Sequence, residues 1–225
     1  MDGLLLIDKP EGWTSHDVVA KLRAVTGIRA IGHAGTLDPF ATGLLVLGIG
    51  AATKRLADVQ SFEKEYLGTV RLGATSSTDD RTGEILRHEI PSVTGTEIIA
   101  AMARFRGEIE QIPPMYSAKK VGGRKLYDLA RRGQTIERKP ATVTIYDLTL
   151  APEQPADFPA SFAIRVTCSK GTYIRALARD IGDTLETGGY LEELRRTRIG
   201  PYRVEAATKI GDVTKAGWEA LLITA

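Results

Sequence analysis

The segment Gly32-His33-Ala34-Gly35-Thr36-Leu37-Asp38-Pro39-Phe40-Ala41-Thr42-Gly43 most constrains how this chain can fold. It sets a lone carboxylate directly before a proline, among glycines and small residues. It then runs straight into the apolar stretch Leu44-Leu45-Val46-Leu47-Gly48-Ile49. Glycine reaches backbone angles closed to other residues, and Pro39 fixes its own φ while steering Asp38 away from helix. The expected result is a rigid loop feeding a buried strand, with Asp38 held out of the sheet. On physics alone Asp-Pro is first of all a turn former, because aspartate bonds its own backbone and proline stiffens turns.

The rest of the chain reads as α+β. Residues 3–8 and 44–49 are short apolar runs of the kind found in buried strands. In 65–72, Tyr66, Gly68, Val70 and Leu72 fall on one face, which predicts a strand with its other side solvated. Alternation also marks 142–150, through Val143, Ile145 and Leu150, and 161–168, through Phe162, Ile164, Val166 and Cys168. Ser15 is placed to cap a helix with Val18, Val19, Leu22 and Val25 inward, ending near Gly27. Thr94-Gly95-Thr96-Glu97 has capping-box spacing ahead of Ile98, Ile99, Met102 and Phe105. Ile174, Leu177, Ala178, Ile181 and Leu185 recur at helical spacing up to Gly188-Gly189. Residues 76–83 read as a polar loop, and 152–159 as a turn or short insertion between strands.

Charge is sorted along the chain. The net charge is only +2, yet residues 117–140 carry eight Lys or Arg against Asp128 and Glu137. Residues 165–203 carry eight more against five acids, so the remainder is acidic. These blocks surround Tyr116, Tyr127 and Tyr173, a combination suited to a phosphate-lined partner with unstacked bases. The single cysteine, Cys168, excludes an internal disulfide and fits a reducing compartment. No apolar run approaches the roughly 18 residues of a membrane span, and acidic Asp8 follows Leu4–Ile7 where a signal sequence would continue. A cytoplasmic protein is expected.

His16, His33, His88 and Cys168 show no metal-ligand spacing, and no phosphate-binding loop ends in Gly-Lys-Ser or Gly-Lys-Thr, so no cofactor is expected. Ser15-His16-Asp17 is not read as a hydrolase triad, because neighbours on a helix point about 100° apart.

Five blocks together resemble the TruB family of pseudouridine synthases. The segment from Gly32 to Gly43 is similar to that family's catalytic block. Gly3-Leu4-Leu5-Leu6-Ile7-Asp8-Lys9-Pro10, with Gly12-Trp13-Thr14-Ser15-His16-Asp17, is similar to its opening block. Phe62-Glu63-Lys64-Glu65-Tyr66 with Arg71-Leu72-Gly73 resembles a second. Pro113-Pro114-Met115-Tyr116-Ser117-Ala118-Lys119-Lys120 and Cys168-Ser169-Lys170-Gly171-Thr172-Tyr173-Ile174-Arg175 resemble the other two. The resemblance implies a pseudouridine synthase fold, with a mixed, largely antiparallel sheet flanked by helices and a central RNA-binding cleft. It also implies isomerisation of a uridine in the T loop of transfer RNA, position 55, by a stand-alone monomer. The expected domain covers 1–203, with 204–225 a short C-terminal segment in place of the PUA domain that bacterial members commonly carry.

Site residues follow from the resemblance. Asp38 becomes the nucleophile, and three first steps are open to it: attack at C1′, attack at C6, or removal of a sugar proton. Arg175 corresponds to the arginine that pairs with the family's catalytic aspartate and would keep Asp38 ionised. Arg179, one turn on, is expected to pair at the surface with Asp183. Tyr66 would stack on the target base and act as a base toward C5. His33, Tyr173 and Leu194 would line the pocket of a flipped-out nucleotide. Lys9, Lys119, Lys120, Arg124, Lys125, Arg131 and Arg132 are the expected phosphate contacts, with residues 117–133 ordering as an RNA clamp. An RNA-folding chaperone with vestigial catalytic residues is the competing class, and a synthase acting on another RNA is a third reading.

Overall fold

The computed structural model describes residues 2–88, 92–117, 120–121, 124–125 and 136–223. In order they form β1 (Gly3–Lys9), α1 (Ser15–Thr26), β2 (Ile31–His33), β3 (Thr42–Ile49), α2 (Leu56–Ser61) and β4 (Lys64–Leu72). Next come β5 (Ala74–Ser76), β6 (Ile85–Arg87), α3 (Gly95–Ala103), β7 (Gly107–Gln111), β8 (Lys120–Val121) and β9 (Arg124–Lys125). The chain closes with β10 (Ala141–Leu150), β11 (Ser161–Cys168), α4 (Ile174–Thr184), β12 (Gly189–Ile199), β13 (Tyr202–Arg203) and β14 (Thr208–Lys209). Contacts divide the chain into one compact unit of residues 1–67 and 194–225 and a second of 68–193.

In the first unit β3 lies antiparallel to β1, with Leu5 opposite Leu47, and antiparallel to β2, with Gly32 opposite Gly48. The unbroken apolar runs of β1 and β3 follow from burial on both faces. Leu5, Ile7, Leu45 and Leu47 pack with Val18, Val19 and Leu22 of α1. Leu4, Leu6, Leu44 and Val46 pack instead with Val59 and Ile199. The helix-capping expectation is corrected at one position. Thr14, not Ser15, caps α1, in a reciprocal capping box with Asp17. Gly27 ends that helix in the left-handed region, φ 73°.

In the second unit β11 stands beside the end of β4, followed by β10 and then β7. β10 is antiparallel to both β11 and β7. Phe162, Ile164, Val166 and Cys168 are buried as their alternation predicts. In β10 a bulge between Ile145 and Asp147 shifts the alternation by one, so Leu148 joins Val143 and Ile145 in the core, while Leu150, the last residue of the strand, is only half-buried. Thr94 and Glu97 form the expected capping box, but α3 stops at Ala103, leaving Phe105 outside it. Its inward face is Ile98, Ala101 and Met102, whereas Ile99 is 56% exposed. Ile99 lies about 100° around the helix from Ile98, off the face that Ile98 shares with Ala101 and Met102.

Among the described residues no helix is long and apolar enough to cross a membrane. The two faces of α3 make a direct comparison. Met102→Ala should destabilise by about 2–5 kcal/mol through a cavity, whereas Ile99→Ala should stay within about 0.5 kcal/mol. Urea unfolding monitored by circular dichroism measures both.

Candidate active site

The loop carrying Asp38 is held in the first unit by side chains from three separate elements. Ser15, at the first turn of α1, accepts from the Leu37 N–H at 2.9 Å and donates to the Leu37 carbonyl at 3.2 Å. That double contact, and not a triad, is the use of its hydroxyl. Asp17 meanwhile is occupied by the N–H and hydroxyl of Thr14.

Lys9, at the end of β1, is fully buried. Its ammonium donates to the carbonyls of Trp13 at 2.6 Å, Pro10 at 2.9 Å and Pro39 at 3.4 Å. The Gly12 N–H reaches the same Pro39 carbonyl at 2.8 Å. Lys9 is therefore removed from the set of phosphate contacts, since its charged end faces backbone inside the protein. Burial draws its pKa down to about 8, opposed by the negative charge of Asp38 and reinforced by Arg196.

Arg196 is the residue that sequence reading missed here. It lies in β12, where its backbone pairs with Gly43 of the parallel β3, and it is 1% exposed. Its guanidinium donates to the carbonyls of Leu44 at 2.7 Å and Gly35 at 3.2 Å, and reaches Thr36 at 3.5 Å. The fit leaves no space at Gly43, whose φ is +100° and where a Cβ would lie 2.3 Å from the Arg196 carbonyl oxygen. The signal was a charged residue repeating the buried parity of Leu194, but in a strand rich in arginine that parity is easily taken for a solvated face.

Asp38 itself is half-buried, and Thr36 and Pro39 on either side of it are exposed, while the backbone of the loop is tied inward. His33, in β2, stands edge-on to the exposed ring of His16, with centroids 6.3 Å apart. Burial, His16 and Arg196 hold His33 below its ordinary pKa, against a smaller opposing pull from the Gly35 backbone. Its buried Nδ1 meets no hydrogen-bond partner among the described residues. Tyr66 is on the inward face of β4, and Leu194 is buried in β12.

The second unit fixes the remaining candidates at the start of α4. Gln111, 1% exposed at the end of β7, accepts from the Tyr173 N–H at 2.8 Å and donates to its carbonyl at 3.1 Å. That amide clamp orients the first turn of a helix whose preceding residue makes no side-chain cap. Arg175, 4% exposed, donates to the Thr78 carbonyl at 2.8 Å and the Tyr116 carbonyl at 2.9 Å, and lies 3.3 Å from Asp80. Asp80 is 3% exposed, and its other oxygen accepts from Thr78 and from the Thr82 hydroxyl and N–H. The polar loop read at 76–83 is thus a support for Arg175, which its hydroxyl-rich composition only hinted at. Arg179 does not pair with Asp183 but with Asp79, at 2.8 Å, and with its neighbour Asp180.

Lys119, Arg131 and Arg132 lie outside the described residues, as does most of the 117–133 segment. Lys120 faces Lys125, and Val121 faces Arg124, across the β8–β9 backbone ladder. Among the described residues no three His, Cys, Asp or Glu side chains gather as a metal-ligand set.

A family model described as TruB family pseudouridylate synthase (N terminal domain) matches residues 23–174. A second, described as tRNA pseudouridylate synthase B C-terminal domain, matches 175–221. The tRNA pseudouridine synthase B of Thermobifida fusca is 47% identical over 217 residues, covering 94% of this chain and 74% of that protein. The protein of the same name from Streptomyces coelicolor is 50% identical over 212 residues, covering 92% of this chain and 70% of its own length. Among solved structures, a chain of a Cbf5–Nop10–Gar1 complex superposes with a TM-score of 0.74 at 29% identity. That superposition covers 96% of this chain and 55% of the solved one.

Two predictions follow from the geometry. Gly43→Ala should lower both melting temperature and activity, because the added methyl group meets the Arg196 backbone and the residue sits at positive φ. His33 binds a proton less readily folded than unfolded. Stability contributed by its neutral form is complete above its ordinary value of 6.5 and declines as pH falls below it. A His33→Asn variant should show a flatter fall in melting temperature between about pH 6.5 and 5 than the parent.

Proposed function

The chain belongs to the TruB family of pseudouridylate synthases, and we propose that it converts the T-loop uridine of transfer RNA, position 55, to pseudouridine. The observation that carries this reading is the clamped Asp38 loop. A half-buried aspartate lies in a segment whose backbone is tied down by Ser15, Lys9 and Arg196. Covalent catalysis by a carboxylate needs that kind of fixed approach, since small displacements of a reacting atom cost large factors in rate.

Asp38 is the nucleophile in this reading, with attack at C1′, attack at C6 and removal of a sugar proton as its three possible first steps. The glycosidic bond breaks, the uracil turns, and C5 bonds to C1′ with loss of the C5 proton. Tyr66 stacks on the base and takes part in that final proton removal. Arg175 is assigned as the cation that favours the ionised form of Asp38, a role suited to a guanidinium already fixed by two carbonyls and a carboxylate. His33, Tyr173 and Leu194 line the space of the extruded nucleotide, offsetting an unstacking cost of a few kcal/mol. Lys119, Lys120, Arg124, Lys125, Arg131 and Arg132 contact phosphates, and Lys9 is reassigned to holding the loop. The chain acts in the cytoplasm, without a protein partner.

Purified protein alone, incubated with an unmodified transfer RNA transcript, should produce one carbodiimide-dependent primer-extension stop, at the T-loop uridine. Asp38→Asn should reduce product to below about one-thousandth of wild type while RNA binding persists. RNA binding by wild type with no modification would reject the enzyme reading in favour of an RNA-folding role, and a stop elsewhere would reject the substrate.

A further inference from the structure

We propose that Asp79 and Arg179 form a positioning pair for Arg175, a role that rests on the catalytic assignment of Arg175 made above. Three observations in the second unit converge on it. The first is backbone geometry. Asp79 has φ 62°, one of two non-glycine residues among those described to adopt a positive φ. Left-handed backbone is uncommon outside glycine, aspartate and asparagine being its most frequent other occupants, so its presence here marks a defined turn.

The second observation is what that conformation achieves. In extended chain, consecutive side chains point to opposite faces. Here consecutive Asp79 and Asp80 both meet arginines of α4. Asp80 lies beside Arg175, and Asp79 beside Arg179 exactly one turn later in the i, i+4 relation. The left-handed residue lets two adjacent carboxylates engage two guanidinium groups stacked on one helix face.

The third observation is how firmly the segment is enforced. The Leu191 N–H donates to the Asp79 carbonyl and the Arg81 N–H to the Leu191 carbonyl, each at 3.0 Å, bracketing residue 80 against β12. Arg179 adds a 2.8 Å contact to the Asp79 carboxylate and a 3.2 Å bond to the Ile112 carbonyl. Its remaining donors reach Asp180. One guanidinium therefore joins the 76–83 loop, the strand end after β7, and α4. Thr78, the residue before Asp79, supplies the carbonyl that holds Arg175 at 2.8 Å, and Asp80, the residue after it, supplies the carboxylate. Rotation of the backbone at Asp79 would displace both supports together. Burial raises the Asp79 pKa, opposed by Arg179 and Arg175, as expected of a carboxylate whose place inside depends on its cationic neighbours.

The pair touches no reacting atom in this assignment, so its effect must pass through Arg175. Asp79→Asn removes the charge while keeping a residue tolerant of positive φ, and Arg179→Met removes the guanidinium while keeping the stem. Each should lower kcat on the transfer RNA transcript by about 10- to 100-fold, with KM unchanged. In an Arg175→Lys background the same changes should have less than about a twofold further effect, because the group they position is already altered. A readout independent of turnover is the Arg175 Nε–H resonance of 15N-arginine-labelled free protein, assigned by its loss in Arg175→Lys. It should move in both variants.

An unmoved resonance, an unchanged kcat with only a lower melting temperature, or losses that multiply fully with Arg175→Lys would each overturn the proposal. Failure of wild type to form pseudouridine would instead reject the catalytic assignment, and the resonance would still decide whether the pair holds Arg175.

Discussion

The hydrogen bonds from two water-excluded cations, Lys9 and Arg196, to backbone carbonyls are what the first unit's functional loop depends on. Moving a charge from water into a protein interior carries an effective penalty of several kcal/mol per ion unless the new surroundings solvate it. Here much of that solvation comes from carbonyls of residues 10, 13, 35, 39 and 44, with Asp38 adding an opposite charge felt by Lys9. Burial and loop shape are thus mutually conditional. If residues 35–39 relaxed, both cations would lose acceptors, and if either cation left, the carbonyls would be left without donors in a site closed to water. A loop built this way is rigid without regular secondary structure. It can carry a carboxylate at a fixed place although its own residues are mostly small.

The second unit solves a related problem with different chemistry. Arg175 and Arg179 use the planar fork of the guanidinium to bind carbonyl and carboxylate oxygens at once, which the point charge of a lysine cannot reproduce. Asp80 is itself saturated by Thr78 and Thr82, so its carboxylate is immobilised before it meets Arg175. Gln111 performs the neutral equivalent at Tyr173, matching one side-chain amide to one backbone amide. In each case a polar side chain holds backbone that helix and strand ladders leave unpaired. The electrostatic consequence in the first unit is a neutral His33. Arg196 and His16 both disfavour its protonated form, and burial does so more strongly still.

What the sequence made legible was whatever repeats with the period of one element. Strands β1, β3, β4 and β11 and the inward faces of α1 and α4 were readable because burial selects apolar residues at period two or 3.6, or continuously where both faces are covered. Periodicity fails where the backbone changes phase. The bulge in β10 turned Leu148 onto the buried face of Val143 and Ile145, and no side chain near Ile145 announces it. The blocks resembling the TruB family pointed to Asp38, Tyr66 and Arg175 as candidates, but resemblance names residues and says little about what supports them. Arg196, Asp80 and Gln111 were missed for one reason. Each is polar in composition and buried in fact, and the main-chain partners of Gln111 and Arg196 in other elements lie 62 to 161 positions away, as with Arg196 and Gly35, while Asp80 meets the side chain of Arg175 on a distant helix. Lys9 was misread on the same account, since a lysine before a proline has the composition of a surface residue whether its ammonium faces phosphate or the Trp13 carbonyl. Buried polar residues are satisfied by geometry that only the folded chain supplies. The supports of a site are therefore the part of it that a sequence hides best.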